Sequence, residues 1–100
     1  MKTSRLEPLV ERCELAAHTL KALAHPQRLQ ILCYLTSGEK TVGELEALCA
    51  GSQSAVSQFL ARMRAEGLVA ARREGQFVFY RISDPKIFKL IESLRKVFCH

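Results

Sequence analysis

Thr41-Val-Gly-Glu-Leu-Glu-Ala-Leu-Cys49, then Ser52-Gln-Ser-Ala-Val-Ser-Gln-Phe-Leu-Ala-Arg-Met63, then Leu68-Val-Ala-Ala-Arg-Arg-Glu-Gly75 running on to Ile82, decide the fold, because each stretch specifies a different element. Thr41 and Glu44 have the spacing of a capping box, in which hydroxyl and carboxylate satisfy free amide donors at a helix start. Ala50-Gly51 breaks that short helix. Ser52 suits an N-cap, and Val56, Phe59, Leu60 and Met63 recur at helical spacing behind it, up to Glu66-Gly67. Two β-runs follow, Leu68 to Arg73 and Gln76 to Ile82, joined by Glu74-Gly75, where glycine supplies the positive φ of a tight turn.

Working outward, Leu6, Leu9, Val10, Cys13, Ala16, Ala17, Leu20 and Leu23 lie on one face of a first amphipathic helix. His25-Pro26 interrupts it. Proline is tolerated at the first helical position, so Pro26 starts a second helix through Leu29, Ile31, Leu32, Cys33 and Leu35, ending near Ser37-Gly38. Ser83-Asp84-Pro85 caps and starts a last helix through Ile87, Phe88, Ile91, Leu94 and Phe98. The expectation is one domain over residues 1–100, mainly α with a small β-hairpin, in the order four helices, two strands, one helix.

The chain has 100 residues, 48% of them hydrophobic and 25% charged, which is the composition of a globular domain and not of a disordered tract. Its formal net charge is +5, a lean toward polyanionic partners that gains weight where the charge clusters. Arg62, Arg64, Arg72, Arg73 and Arg81 face only Glu66 and Glu74 in that part of the chain. No signal-peptide pattern opens the sequence and no run reaches membrane-spanning length, so a cytoplasmic protein without membrane contact is expected. There Cys13, Cys33, Cys49 and Cys99 should rest as thiols, and the lack of a CxxC pair argues against a thioredoxin-type motif or zinc ribbon. Without a Gly-rich phosphate loop, HExxH or GxSxG, nothing points to an enzyme.

A short helix, a glycine turn, a helix opening on Ser and Gln, and a basic hairpin form, in that succession, a DNA-reading unit, a winged helix-turn-helix. Ser52, Gln53, Ser54, Ser57 and Gln58 are short hydrogen-bonding side chains suited to phosphates and to base edges in the major groove. Arg62 suits a phosphate, and Arg72, Arg73 and Gln76 at the hairpin tip suit the flanking backbone or minor groove. Each feature alone would read as a solvated surface; their order favours DNA. With Thr41 at the helix start, these residues make the expected contact set, with the helix-turn-helix at about 41–66 and the wing at about 68–83.

Leu23-Ala-His-Pro-Gln-Arg-Leu-Gln-Ile-Leu32, Ser52 to Leu60, Glu66-Gly-Leu-Val69 and Arg72-Arg-Glu-Gly75 resemble the ArsR/SmtB family of repressors over nearly the whole chain. The resemblance implies a homodimer on an inverted-repeat operator, with the terminal helices, about 5–24 and 85–99, paired across the two-fold axis. Their exposed apolar faces argue the same way, and Leu9, Leu20, Ile91 and Leu94 are the expected contacts. The family's metal sensors use a CxC pair on the third helix or an Asp/His set on the last. This chain has neither, so no metal or other cofactor is expected.

Cys33 and Cys99 instead resemble the persulfide- and sulfide-responsive branch, the SqrR/BigR type, in which two such cysteines are joined through sulfur. A reactive sulfur species is the inducer this implies. A peroxide-type disulfide sensor of the same fold, or a zinc site from Cys33, Cys99 and His100, are the alternatives. Arg95 and Lys96 stand just before Cys99 and favour a thiolate, while the helix C-terminus opposes it. Cys13 and Cys49 read as small buried hydrophobes, and His25 as a helix-start or packing residue.

Overall fold

The structure, a computed structural model, describes residues 2–49 and 53–99, with side chains described from Pro8 onward and, in the fourth helix, from Ala55 onward. The elements are α1 (Lys2–Leu23), α2 (Pro26–Leu35), β1 (Lys40–Thr41), α3 (Val42–Leu48), α4 (Gln53–Ala65), β2 (Val69–Glu74), β3 (Phe77–Ile82) and α5 (Pro85–Phe98). The five helices and the hairpin agree with the sequence reading. Strand β1 was not expected: Lys40 and Thr41 pair antiparallel with Tyr80 and Phe79, giving a three-stranded sheet in the order β1-β3-β2. Two residues are too few to leave a periodic signal, yet they tie the wing to the start of α3.

The helix boundaries follow the local chemistry. His25 caps α2, its Nδ1 accepting from the Gln27 amide at 3.2 Å, and its ring lies 4.6 Å from that of Phe59 on α4. Thr41 and Glu44 form the reciprocal capping box at α3, at 3.1 and 2.8 Å. Asp84 caps α5 by accepting from the Lys86 amide at 2.9 Å. At the end of α4 the Leu68 amide donates to Met63 and the Gly67 amide to Arg64, at 2.8 and 3.1 Å, a Schellman arrangement with Gly67 at φ +80°. The expected N-cap of α4, Ser52, lies outside the described residues.

The core is built from Leu23 of α1; Ile31, Leu32 and Leu35 of α2; Leu45 of α3; Val56, Leu60 and Met63 of α4; and Ile87 and Ile91 of α5. Each such side chain contributes about 1.5–3 kcal/mol by leaving water. Ile91, expected at a two-fold contact, is 0% exposed in the single chain. The periodicity that marks an apolar face does not say which neighbour covers it, and here α5 packs within the chain on α2 and β3. Leu94 is half-buried against the same core, whereas Leu9 and Leu20 are 55% and 51% exposed. Cys49 is buried as expected, but Cys13 is exposed. No described helix is long and apolar enough to cross a membrane.

Candidate nucleic-acid interface and thiol pair

Helix α4 packs against both α3 and strand β2 of the hairpin. Gln53 and Ser54 open α4, although their side chains, like Ser52, lie outside what is described. Ser57, Gln58 and Arg62 are exposed along α4, while Val56, Leu60 and Met63 face inward. The helix is thus anchored by an apolar stripe and presents a polar one. The Thr41 hydroxyl already accepts from the Glu44 amide, so its proton remains for one further acceptor.

At the hairpin tip Glu74 pairs with Phe77, leaving Gly75 and Gln76 as the turn. Gly75 has φ +63° and Gln76 has no positive φ, the pattern of a type II′ turn. Arg73 and Gln76 are exposed on it. Arg72, expected to reach the flanking backbone or minor groove, is already engaged within the chain. Its Nε donates to the Glu39 carboxylate at 2.9 and 3.0 Å, its Nη1 to Glu74 at 2.6 Å, and its guanidinium lies 4.7 Å over the Phe79 ring. The bond from Arg72 holds the Glu39 carboxyl below its ordinary range. Sequence distance hid this: Glu39 precedes Arg72 by 33 residues and becomes its neighbour only through β1.

The second cluster lies where the end of α5 meets the end of α2. Arg95 Nη1 donates to Thr36 Oγ1 at 2.8 Å, and that hydroxyl donates to the Cys33 carbonyl at 2.6 Å. The Cys99 amide donates to the Arg95 carbonyl at 2.7 Å. Burial pushes the Cys33 thiol up, the nearby Cys99 pushes it further, and Arg95 pulls it back. The ends of the helices that carry Cys33 and Cys99 therefore meet, although the two residues are 66 apart in sequence (99 minus 33). Cys99 is exposed and Cys33 half-buried. His100, the third member of the zinc alternative, lies outside the described residues.

Residues 25–71 match the arsR family of bacterial regulatory proteins. The transcriptional activator HlyU of Vibrio cholerae is 44% identical over 94 residues, 94% of this chain and 87% of that protein. The chain belongs to the ArsR family. Among solved structures, reduced HlyU from V. cholerae superposes with a TM-score of 0.86 at 42% identity, covering 94% of this chain and 99% of that one. The transcriptional repressor BigR from Xylella fastidiosa gives 0.84 at 38% identity, covering 94% and 96%. As an ArsR-family protein the chain is a DNA-binding transcriptional regulator with a winged-helix fold, and not an enzyme.

One charged group in this ArsR protein was not singled out from sequence. Arg28, 7% exposed, donates through Nη1 to the Ala22 carbonyl and to Glu66 Oε1, both at 2.9 Å, and through Nη2 to Glu66 Oε2 at 3.4 Å. The available signal was an arginine inside an apolar helical run, which needs a partner when it is buried.

Proposed function

We propose that the protein is a homodimeric repressor that holds an inverted-repeat operator in its dithiol form and releases it when a persulfide joins Cys33 to Cys99 through sulfur. The observation that supports this reading is the Arg95–Thr36 bond, which ties the end of α5, just before Cys99, to the end of the helix that carries Cys33. A cysteine pair divided between two helices converts a covalent event into a force between those helices.

The chemistry balances without an outside oxidant. One thiolate attacks the terminal sulfur of a persulfide RSSH, expelling RSH and becoming a protein persulfide. For a single inserted sulfur, two thiols and two RSSH give the trisulfide, two RSH and one hydrogen sulfide. A direct disulfide needs Cα atoms about 4.4–6.8 Å apart, while inserted sulfur spans more, so a separation beyond that range would select persulfide over peroxide. Release of about 5- to 150-fold in affinity is the usual size of such a coupling. Repression is the direction favoured by the likeness to BigR, while HlyU carries the name of an activator.

In this reading Ser57, Gln58, Arg62, Arg73 and Gln76, with Thr41 and the opening of α4, contact double-stranded DNA, and the protein works in the cytoplasm. Leu9 and Leu20 supply the dimer contact. Replacing Leu20 by Glu should give monomer in sedimentation, whereas truncation before Pro85 would strip Ile87 and Ile91 from the core and unfold the chain. The deciding experiment treats the DNA-bound protein with glutathione persulfide. Mass spectrometry should find added sulfur linking the Cys33 and Cys99 peptides, and Cys33→Ser and Cys99→Ser should stay on DNA. Normal release of both variants, or release by zinc and not by persulfide, refutes the thiol switch.

A further inference from the structure

We infer that the Arg28–Glu66 pair sets the tilt of α4 on the body of the protein, and so determines how well the operator is told from other DNA. The inference rests on the family's DNA binding and stands apart from the thiol chemistry.

Val56, Leu60 and Met63 seat α4 on the core, but none of them makes a directional bond. The opposite constraint comes from the adjoining face, where two polar or aromatic contacts reach the corner between α1 and α2. Phe59 meets the His25 ring at 4.6 Å. Glu66, seven residues and about two turns further on, takes both arms of the Arg28 guanidinium, at 2.9 and 3.4 Å. Two attachments about two turns apart on one face fix a direction as well as a distance. The second is the more rigid, because a bidentate guanidinium–carboxylate pair specifies orientation.

The pair is also built in. Arg28 is fixed from the other side by the Ala22 carbonyl at 2.9 Å, so one side chain joins the end of α1, the start of α2 and the end of α4. Glu66 sits in the Schellman turn that the Gly67 and Leu68 amides close. Ser83 Oγ donates to the Gly67 carbonyl at 2.8 Å, locking the same turn to the end of β3. Neither residue of the pair belongs to the expected DNA-contacting set; Gln58 and Arg62, which do, line together with the pair the cleft between α4 and the α1–α2 corner. Arg28 and Glu66 are positioning residues.

The test uses charge-conserving substitutions, so that general attraction to DNA is unchanged. Glu66→Asp leaves a carboxylate too short for the fork, at a side chain that is 43% exposed; Arg28→Lys keeps the cation and loses the fork. Each variant's thermal melt is recorded, and its affinity is measured for a duplex selected by the wild type from random DNA and for a scrambled duplex. Affinity for the selected duplex should fall about 5- to 150-fold, the loss expected for misreading about one base pair. Affinity for the scrambled duplex and its salt slope should stay the same. Glu66→Asp decides the matter if Arg28→Lys fails to fold. An unchanged ratio of the two affinities in folded Glu66→Asp overturns the inference, and so does an equal fall on both duplexes.

Discussion

Replacing Arg95 by Met and replacing Cys99 by Ser should move the Cys33 thiol in opposite directions. Burial raises Cys33, Cys99 adds to the rise, and Arg95 opposes it. Methionine keeps much of the arginine stem and removes the charge, so Arg95→Met should raise Cys33 further. Cys99→Ser removes a group that charges negatively at high pH and should lower it. The double variant should fall between. In an alkylation experiment read by mass spectrometry on the Cys33 peptide, the pH profile shifts upward in the first variant and downward in the second.

The rate consequence follows from thiol reactivity. Below its pKa a thiol whose thiolate fraction falls tenfold regains about threefold in nucleophilicity, so the net loss of rate is about threefold. Arg95→Met should therefore slow persulfide uptake at Cys33 modestly and by the same rule at every pH below the transition. It also removes the bond to Thr36 at 2.8 Å, an exposed contact worth at most about 1 kcal/mol, so the melt should drop by no more than about 4–8 °C. If both substitutions move the Cys33 profile the same way, or neither moves it, the assigned electrostatics of the thiol pair are wrong.

Arg73→Ala should flatten the dependence of DNA affinity on salt by about one phosphate contact, a change of about 0.9 in log–log slope, whereas Arg72→Ala should change it less because Glu39 and Glu74 already neutralise that guanidinium; titrations by fluorescence anisotropy at several salt concentrations compare them. Gly75→Ala places a side chain at φ +63° with no atom within 4 Å of the new carbon, so its cost is conformational, about 1–2 kcal/mol, read as a lowered midpoint in urea. Burial raises Cys49 as well as Cys33 above the ordinary value of 9.0. The folded state holds those protons more tightly than the unfolded one, so the associated stability is complete below pH 9.0 and is lost as pH rises through the higher folded values. Cys49→Ala should make melting temperatures less sensitive to pH in that alkaline range.

The elements announced by local chemistry were legible in the sequence: the Thr41–Glu44 capping box, the Asp84-Pro85 start of α5, and the Gly75 turn all form as their residues dictate. The α4 stripe of Val56, Leu60 and Met63 was legible because helical periodicity states which side faces in. What stayed hidden depends on partners distant in sequence. Ile91 shares its periodicity with Leu94, but only the packed fold shows that one is sealed and the other half-open. Arg72 reads as a wing cation until β1 brings Glu39 beside it. Arg28 reads as one polar residue in an apolar helix until Glu66 arrives from 38 residues away.

These hidden contacts give α2 a meaning that its sequence does not carry. It is ten residues long, about 15 Å at 1.5 Å per residue. At its C-terminal end are Cys33 and, at the C-cap, Thr36, which Arg95 of α5 engages; near its N-terminus is Arg28, engaged by Glu66 just past the end of α4. Between them Ile31, Leu32 and Leu35 are almost wholly buried, so the helix has little room to bend or slide independently of the core. Interiors packed at crystal density respond to a local push by moving as bodies. If a sulfur bridge draws Cys33 toward Cys99 as proposed, α2 turns as a rod, and the Arg28–Glu66 fork delivers that turn to α4, the helix proposed to contact DNA. A chemical event on a half-buried thiol would then change DNA affinity without any ligand entering the DNA-binding face, through one helix gripped at both ends.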